Sequence, residues 1–369
     1  MRLAVIAPTD GATTHFRVDM PASRFKDITI KKYLPSKEIM KVYQIKEYCY
    51  QIDEDVVLIH RANPYTYHMA NFLKERGKKL IFDTDDLEFG LPRNHMLYMQ
   101  MVPKPMKDLT TKILNLCEEA WVTTYSLQRQ IKNITSIPVL VIKNAVDDHL
   151  TSWHKSPDRL SKPYRLTWVG SVTHMPDMEN SDFLSGLKML CKETQDFELH
   201  LCGMPKKQNK FLFVNGQPMI TPLKEEEKYE VVLKKLFYFV KKLYLRPILP
   251  IDKYPSFYDY ATFTVSPLAM NAFNDSKSEL KIIESGMKKL PIVCSPSATY
   301  LEFNREYPGT INIARGSKSW YRKMKYLLDE PNFRVEQGNK LFEIIKRKYD
   351  LSYWSKIRED RIKEIERKG

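Results

Sequence analysis

The sequence predicts an α/β protein made of two Rossmann-like domains that face each other across a cleft. Three observations point there. Short β-rich runs alternate with longer helical stretches in two successive series, and a polar, proline-containing segment separates the series. The chain has 369 residues, more than the roughly 100–200 of a single domain. Strands spaced by helices require crossover connections, and these build parallel sheets.

In the first half, strands are expected at Leu3–Pro8, Val56–Arg61, Lys79–Asp83, Ala120–Thr124 and Pro138–Lys143. In the second half they are expected at Arg165–Gly170, Glu198–Cys202, Ala261–Pro267, Pro291–Ser295 and Thr310–Ile313. The segment DDHLTSWHKSPDRLSKPYR, about residues 147–165, reads as the linker. The terminal YDLSYWSKIREDRIKEIERK has the apolar spacing of an amphipathic helix. The expected division is 1–155, 156–345 and a terminal helix in 346–369. Open parallel sheets bind ligands at the carboxyl ends of their strands, so two facing sheets imply a cleft with one ligand held by each.

Hydrophobic residues are 43% and charged residues 28% of the chain, enough apolar material for real cores and too much for a disordered polymer. There is no long uncharged apolar run, hence no expected membrane span. MRLAVIAPTDG reads as a first strand and not as a signal peptide. Cys49, Cys117, Cys191, Cys202 and Cys294 are scattered, with no CxxC or zinc spacing, and are expected to be free thiols in a reducing cytoplasm. The net charge of +14 suits a polyanionic partner: nucleic acid, anionic lipid or a phosphorylated sugar.

Four segments carry candidate chemistry. In FNDSKSELKIIESGMKKLPIVCSP (residues 273–296), Lys277 and Ser278 are expected at a helix start, where free N–H groups and the dipole favour an anion. Lys277, Lys281 and Glu284 are spaced to share one helix face, and Glu284 could take both hydroxyls of a ribose. Asn274, at the head of the segment, joins this donor-binding set. In YRLTWVGSVTHMPDMENSDFLSGL (residues 164–187), Gly170 and Ser171 allow backbone N–H groups close to a ligand, and His174 could donate to a phosphate or sugar oxygen.

In KKLIFDTDDLEFGLPRNH (residues 78–95), Asp83, Asp85 and Asp86 follow a hydrophobic strand. A DxD metal site is one reading. Carboxylates that cap the next segment and face the cleft are the preferred one, with no metal. In PTDGATTHFRVDMPASRF (residues 8–25), Gly11 permits close approach while His15 and Arg17 add polar groups; His60 and Arg61 end another strand on the same rim. The loop has neither GxGxxG spacing nor a Walker lysine.

Taken in this order, the Gly11–Arg17 loop, the FDTDD strand end, VIKNAVDDHLTSWH with Asn144 and Asp147, the WVGS turn and FNDSKSELKIIESG resemble the GT-B glycosyltransferases, especially the large retaining group using nucleotide-linked sugars. The resemblance covers nearly the whole chain. It implies a terminal helix crossing back to the N-terminal domain, a nucleotide-sugar donor (UDP-linked) as co-substrate, and no cofactor. It also implies that Lys277, Asp86 and His15 serve catalysis. Gly170, Ser171, His174, Asn274, Lys277, Ser278, Lys281 and Glu284 would hold the donor, with Gly11, Arg17, His60 and Arg61 on the acceptor side.

The pattern is not complete. Ser276 stands where many such enzymes have the first of two glutamates, and the Arg and Lys that commonly follow the Gly-rich turn are missing between Ser171 and Met178. The Lys-, Ile- and Tyr-rich composition and compact size resemble a bacteriophage protein or one from an AT-rich bacterium, and bacteriophage enzymes of this architecture glycosylate hydroxymethylated DNA bases. The leading acceptor is therefore 5-hydroxymethylcytosine in DNA, with basic clusters at Lys74–Lys79, Lys206–Lys210, Lys234–Lys242 and Lys346–Lys348 as phosphate contacts. The alternatives are a cell-surface or lipid-linked glycan acceptor, for which the Lys- and Tyr-containing stretch Ile28–Tyr50 offers a membrane-facing patch, and a non-enzymatic nucleotide-sugar or nucleic-acid binding protein. Oligomeric state is left open.

Overall fold

A computed structural model describes residues 1–35, 42–99, 101–179, 181–204, 212–214, 217–219 and 224–368. In the N-terminal half, β1 (Arg2–Ile6), β2 (Thr29–Tyr33), β3 (Val56–His60), β4 (Lys79–Thr84), β5 (Glu119–Val122) and β6 (Val139–Val141) form one sheet in the order β2-β1-β3-β4-β5-β6. Every pairing is parallel, with Leu3 opposite Val56 and Ile59 opposite Phe82. The near-continuous apolar runs LAVI, VVLI and LIF suit strands buried on both faces.

The C-terminal half repeats the plan. Its strands are β7 (Tyr164–Val169), β8 (Phe197–Met204), a small antiparallel pair β9 (Leu212–Val214) and β10 (Gln217–Met219), then β11 (Leu243–Pro247), β12 (Phe263–Ser266), β13 (Ile292–Cys294) and β14 (Asn312–Ile313). The main sheet runs β11-β8-β7-β12-β13-β14, all parallel. Strand order reverses between β1 and β3 in one sheet and between β7 and β12 in the other. Such reversals open a crevice at the carboxyl ends of the strands, and ligands bind there.

The ten strands expected from sequence are all present. The added ones lie at edges or outside the main sheets: β2 (TIKKY) and β11 (LYLRP) are edge strands of mixed polarity, half-exposed along most of their length. Of the described part of the stretch Ile28–Tyr50, Ile28, Tyr33, Ile45, Tyr48 and Cys49 are core residues, while Lys31 and Tyr50 are exposed.

The last two helices join the halves. Helix Pro331–Lys348 packs on helix Leu280–Met287, where a Cβ on Gly286 would come within 2.5 Å of Ile345. The chain then turns at Asp350, whose side chain accepts from the Tyr353 N–H, and helix Leu351–Arg367 crosses back. Its Ile362 and Ile365 enter the core cluster of Leu3, Val5, Ile81 and Trp121. Its Glu359 accepts from the backbone N–H groups of Lys26 and Asp27. The linker is tied to the C-terminal half by buried Lys288, which donates to the carbonyls of Ser152 and Lys155 and to Asp259.

All five cysteines are buried free thiols. Among the described residues no helix is long and apolar enough to cross a membrane.

Candidate active site

The strand–turn–helix segment at β7 ends in Gly170, and its geometry explains the glycine. A Cβ there would meet the Trp168 ring at 2.6 Å. The end of β8 presses on it from behind: Gly203 has φ +94, and a Cβ on Gly203 would lie 2.2 Å from the Gly170 carbonyl oxygen. Ser171 follows, exposed, and a single 3-10 turn (Val172–His174) brings His174 Nδ1 to 3.1 Å from Asp177 Oδ2. Burial, reinforced by the cation of Lys277, pushes His174 down to about 4, so its imidazole is neutral at neutral pH.

Beyond β12 the expected single helix is two. Helix Ala272–Ser276 is capped by the Asn271 side chain, Lys277 turns to extended backbone (φ −62, ψ 147), and helix Leu280–Met287 begins after Glu279. Lys277 and Ser278 thus occupy the joint between helices and do not share a helix face with Lys281. Lys277 Nζ lies 3.4 Å from His174 Nδ1 and 4.5 Å over the Phe273 ring. Burial lowers its pKa, against the opposing pull of Asp86, Asp177 and Asp85.

These segments line a cleft of ≈ 200 Å³. Its C-terminal wall includes Trp168, His174, Lys277, Ser278 and Lys281; Asp85 and Asp86 face them from the end of β4. Arg61, at φ 65 past the end of β3, donates to Asp85 Oδ1 at 2.7 Å and Asp86 Oδ2 at 2.7 Å. A non-glycine residue held at positive φ is a local cost that surrounding contacts must offset. Buried Glu88 lies 3.8 Å from Arg61 and is pushed up to about 7 by burial. Burial pushes Asp86 upward too, but Arg61, Lys277 and His174 together hold it below the usual carboxylate range.

Several expected site residues lie elsewhere. Arg17 and His60 are buried, and Arg17 forms a 2.6 Å ion pair with equally buried Asp83. Arg17 also donates to the Ile142 carbonyl and Asn144, and His60 Nδ1 sits 3.0 Å from Asp83, so neither side chain reaches an acceptor. Asp83, the first carboxylate of the DxD reading, is consumed in this network. Gly11 is exposed and His15 half-buried beside Asp19, Lys32 and Asp147; neither lines the cleft. Asn274 is buried, donating to Asp177 at 2.6 Å and to the Ala269 carbonyl, which makes it a brace of the wall. Glu284 is buried as well: its Oε2 accepts from Tyr254, Tyr258 and Lys281, while its Oε1 has no partner among the described residues.

Sequence reasoning did not find the two tyrosines, Glu88, or the bonds spanning the halves. Asn144 donates to Ser278 Oγ at 3.1 Å, Lys143 to Glu279 at 2.8 Å and Thr124 to the Ser276 carbonyl at 3.0 Å. Such pairs have no local signal, since their members are more than a hundred residues apart.

No family model matches the chain, and no curated protein matches it by sequence. Solved structures do resemble it. Sucrose-phosphate synthase from Thermosynechococcus elongatus superposes with TM-score 0.72 at 11% identity over 100% of both chains. The E. coli trehalose-6-phosphate protein bound with UDP-2-fluoro glucose gives 0.60 at 9% identity, covering 98% of this chain and 99% of that one. A putative UDP-N-acetylglucosamine 2-epimerase from Listeria monocytogenes gives 0.51 at 10%, covering 96% and 94%. At these identities the likeness is one of fold: the chain has the two-domain GT-B architecture, with its terminal helix crossing back.

Proposed function

We propose that this protein is a glycosyltransferase that takes its sugar from a UDP-linked donor. The observation that carries the reading is the gathering of Lys277, Ser278, Lys281 and His174 at the strand-order reversal of the C-terminal sheet, opposite a wall of different chemistry. In this reading the bond between the sugar's anomeric carbon and the diphosphate oxygen breaks, and negative charge grows on the leaving diphosphate. Lys277 and the N–H groups opening helix Leu280–Met287 stabilise that charge. Ser278, its oxygen accepting from Asn144, keeps its own proton to donate. Glu284, buried behind the cleft wall, holds Lys281 at the cleft through its Oε2. The entering hydroxyl approaches from the Asp86 side, its oxygen bonding to the anomeric carbon while its proton passes to the leaving diphosphate. UDP-containing structures among the fold relatives are consistent with this donor.

The expectation of hydroxymethylcytosine in DNA rested on net charge and a phage-like composition, yet members of two of the basic clusters are paired: Lys74 with Glu118, Lys78 with Asp55 and Lys234 with Glu230. Lys206–Lys210 lies outside the described residues. Carboxylates at the acceptor wall favour a saccharide acceptor over duplex DNA, because phosphates approaching them meet like charge. The test is calorimetric titration with a panel of UDP-sugars, followed by mass spectrometry after incubation with hydroxymethylcytosine DNA, lipid-linked saccharides and simple glycosides. Transfer to any of them supports the reading; an epimerised free sugar nucleotide, or no UDP-sugar binding, overturns it.

A further inference from the structure

We infer that the acceptor is uncharged or amine-bearing where it meets the N-terminal wall, and carries no phosphate or carboxylate there; the inference rests on the glycosyltransferase reading above. The cleft is polarised. Among the described residues that line it, the cations Lys277 and Lys281 both come from the C-terminal half, while the carboxylates Asp85 and Asp86 both come from the N-terminal half.

Among the described residues Arg61 is the one cation hydrogen-bonded to those carboxylates, its guanidinium engaged by both of them with Glu88 3.8 Å away, while Lys277 acts on them only from the opposite wall. Two carboxylates against one guanidinium leave this wall negative, and ionisation of Glu88 makes it more so. Arg17, the other cation expected to face an acceptor, is buried on Asp83. Among the described residues that line the cleft, an anionic group would therefore find carboxylates on this side and no uncommitted guanidinium or ammonium. A hydroxyl or an ammonium group, by contrast, donates hydrogen bonds that Asp85 and Asp86 can accept. The same polarity orients the ligands, with the diphosphate on the lysines and the entering group on the carboxylates. Two of the fold relatives carry phosphate in their names, sucrose-phosphate and trehalose-6-phosphate; the acidic wall separates this chain from a sugar-phosphate acceptor.

The experiment uses the full chain and begins with UDP-sugar binding by calorimetry. Loss of binding at this step refutes the donor reading and is thereby distinguished from failure of the acceptor inference. With a bound donor, kcat/KM is compared for methyl hexosides and their 6-phosphate, 6-carboxylate and 2-amino counterparts. The neutral and amino acceptors should exceed the anionic ones by about 10-fold or more, since like-charge contacts in a partly desolvated site are strongly unfavourable. The Asp85→Asn/Asp86→Asn double variant should raise the ratio of phosphorylated to neutral acceptor use, whatever happens to its absolute rate. A second arm does not depend on guessing the sugar. The UDP-loaded protein is titrated with inorganic phosphate, and no binding is expected until both aspartates are replaced. Equal or better use of a sugar phosphate, or phosphate binding to the unaltered UDP-loaded protein, overturns the inference.

Discussion

Lys277 sits where it does because the chain leaves one helix and enters another at that residue, which frees its side chain to turn into the cleft over Phe273. If it stabilises charge that appears only as the donor bond breaks, Lys277→Ala should lower kcat about 100-fold while leaving KM for the donor nearly unchanged. Glu284→Gln should do the reverse and weaken donor binding by about 1.5–3 kcal/mol, because Lys281 loses the charged partner that holds it at the cleft. Steady-state kinetics with isothermal titration separates the two.

His174 gives a pH signature. Its folded pKa, about 4, lies below the 6.5 of a free imidazole, so its contribution to stability is present above pH 6.5 and is lost as pH falls through about 4. A bound diphosphate adds negative charge beside the ring and raises that pKa, so UDP-sugar binding should take up protons and tighten between pH 6.5 and 4. Titration in buffers of different ionisation enthalpy reads the uptake directly, and His174→Gln should abolish it. That Lys277, Ser278, Lys281 and His174 come together at one cleft was legible from their two segments, but the joint between helices that holds Lys277 and Ser278 was not. Arg17, His60 and Asn274 were misread because rim position does not say where a side chain points. Arg17 meets Asp83 across 66 residues, and Asn274 meets Asp177 across 97.

At the scale of elements, the carboxyl end of β7 owes its form to β8. Gly203→Ala places a Cβ 2.2 Å from a backbone oxygen at φ +94, where neither partner can yield without moving the Gly170–Ser171 turn. We expect a stability loss of about 1–3 kcal/mol in urea denaturation, together with weaker UDP-sugar binding. Gly309→Ala is the control: it has φ +77 with nothing within 4 Å, so it should cost about 1 kcal/mol and spare binding.

The end of β4 makes a second element-scale case. Of the DxD pair, Asp83 is buried on Arg17 and Asp85 is held by Arg61, so neither carboxylate is presented as a free ligand. EDTA should therefore leave turnover intact, and loss restored by manganese would revive the metal reading. The core strands were legible from their long apolar runs. β2 and β11 were not, because an edge strand with one half-wet face needs neither a run nor strict alternation.

At the scale of the whole molecule, the last helix completes a core that begins with the first strand. Its amphipathic spacing was legible, but nothing local says that its apolar face covers Leu3, Val5, Ile81 and Trp121. The same helix delivers Arg358 to Asp83, 3.4 Å away, beside Arg17; burial and the neighbouring guanidinium push Arg358 down to about 9. One carboxylate thus compensates two buried guanidiniums, drawn from the helical turn after β1 and from the final helix. Asp83→Ala strands both cations and should cost about 3–5 kcal/mol. Arg358→Met should cost less, because Asp83 keeps its 2.6 Å pair with Arg17 and the methionine fills apolar space. Removing residues 351–368 takes away the cation and the apolar cover together. The N-terminal sheet then exposes a face built for burial, and the truncated chain should aggregate or unfold in that half while the C-terminal sheet survives. Hydrogen exchange read separately over β1, β3 and β4 and over β7, β12 and β13 would resolve the halves. Native protection of the N-terminal strands in the truncated chain would show that the crossing helix is an accessory and not part of the core.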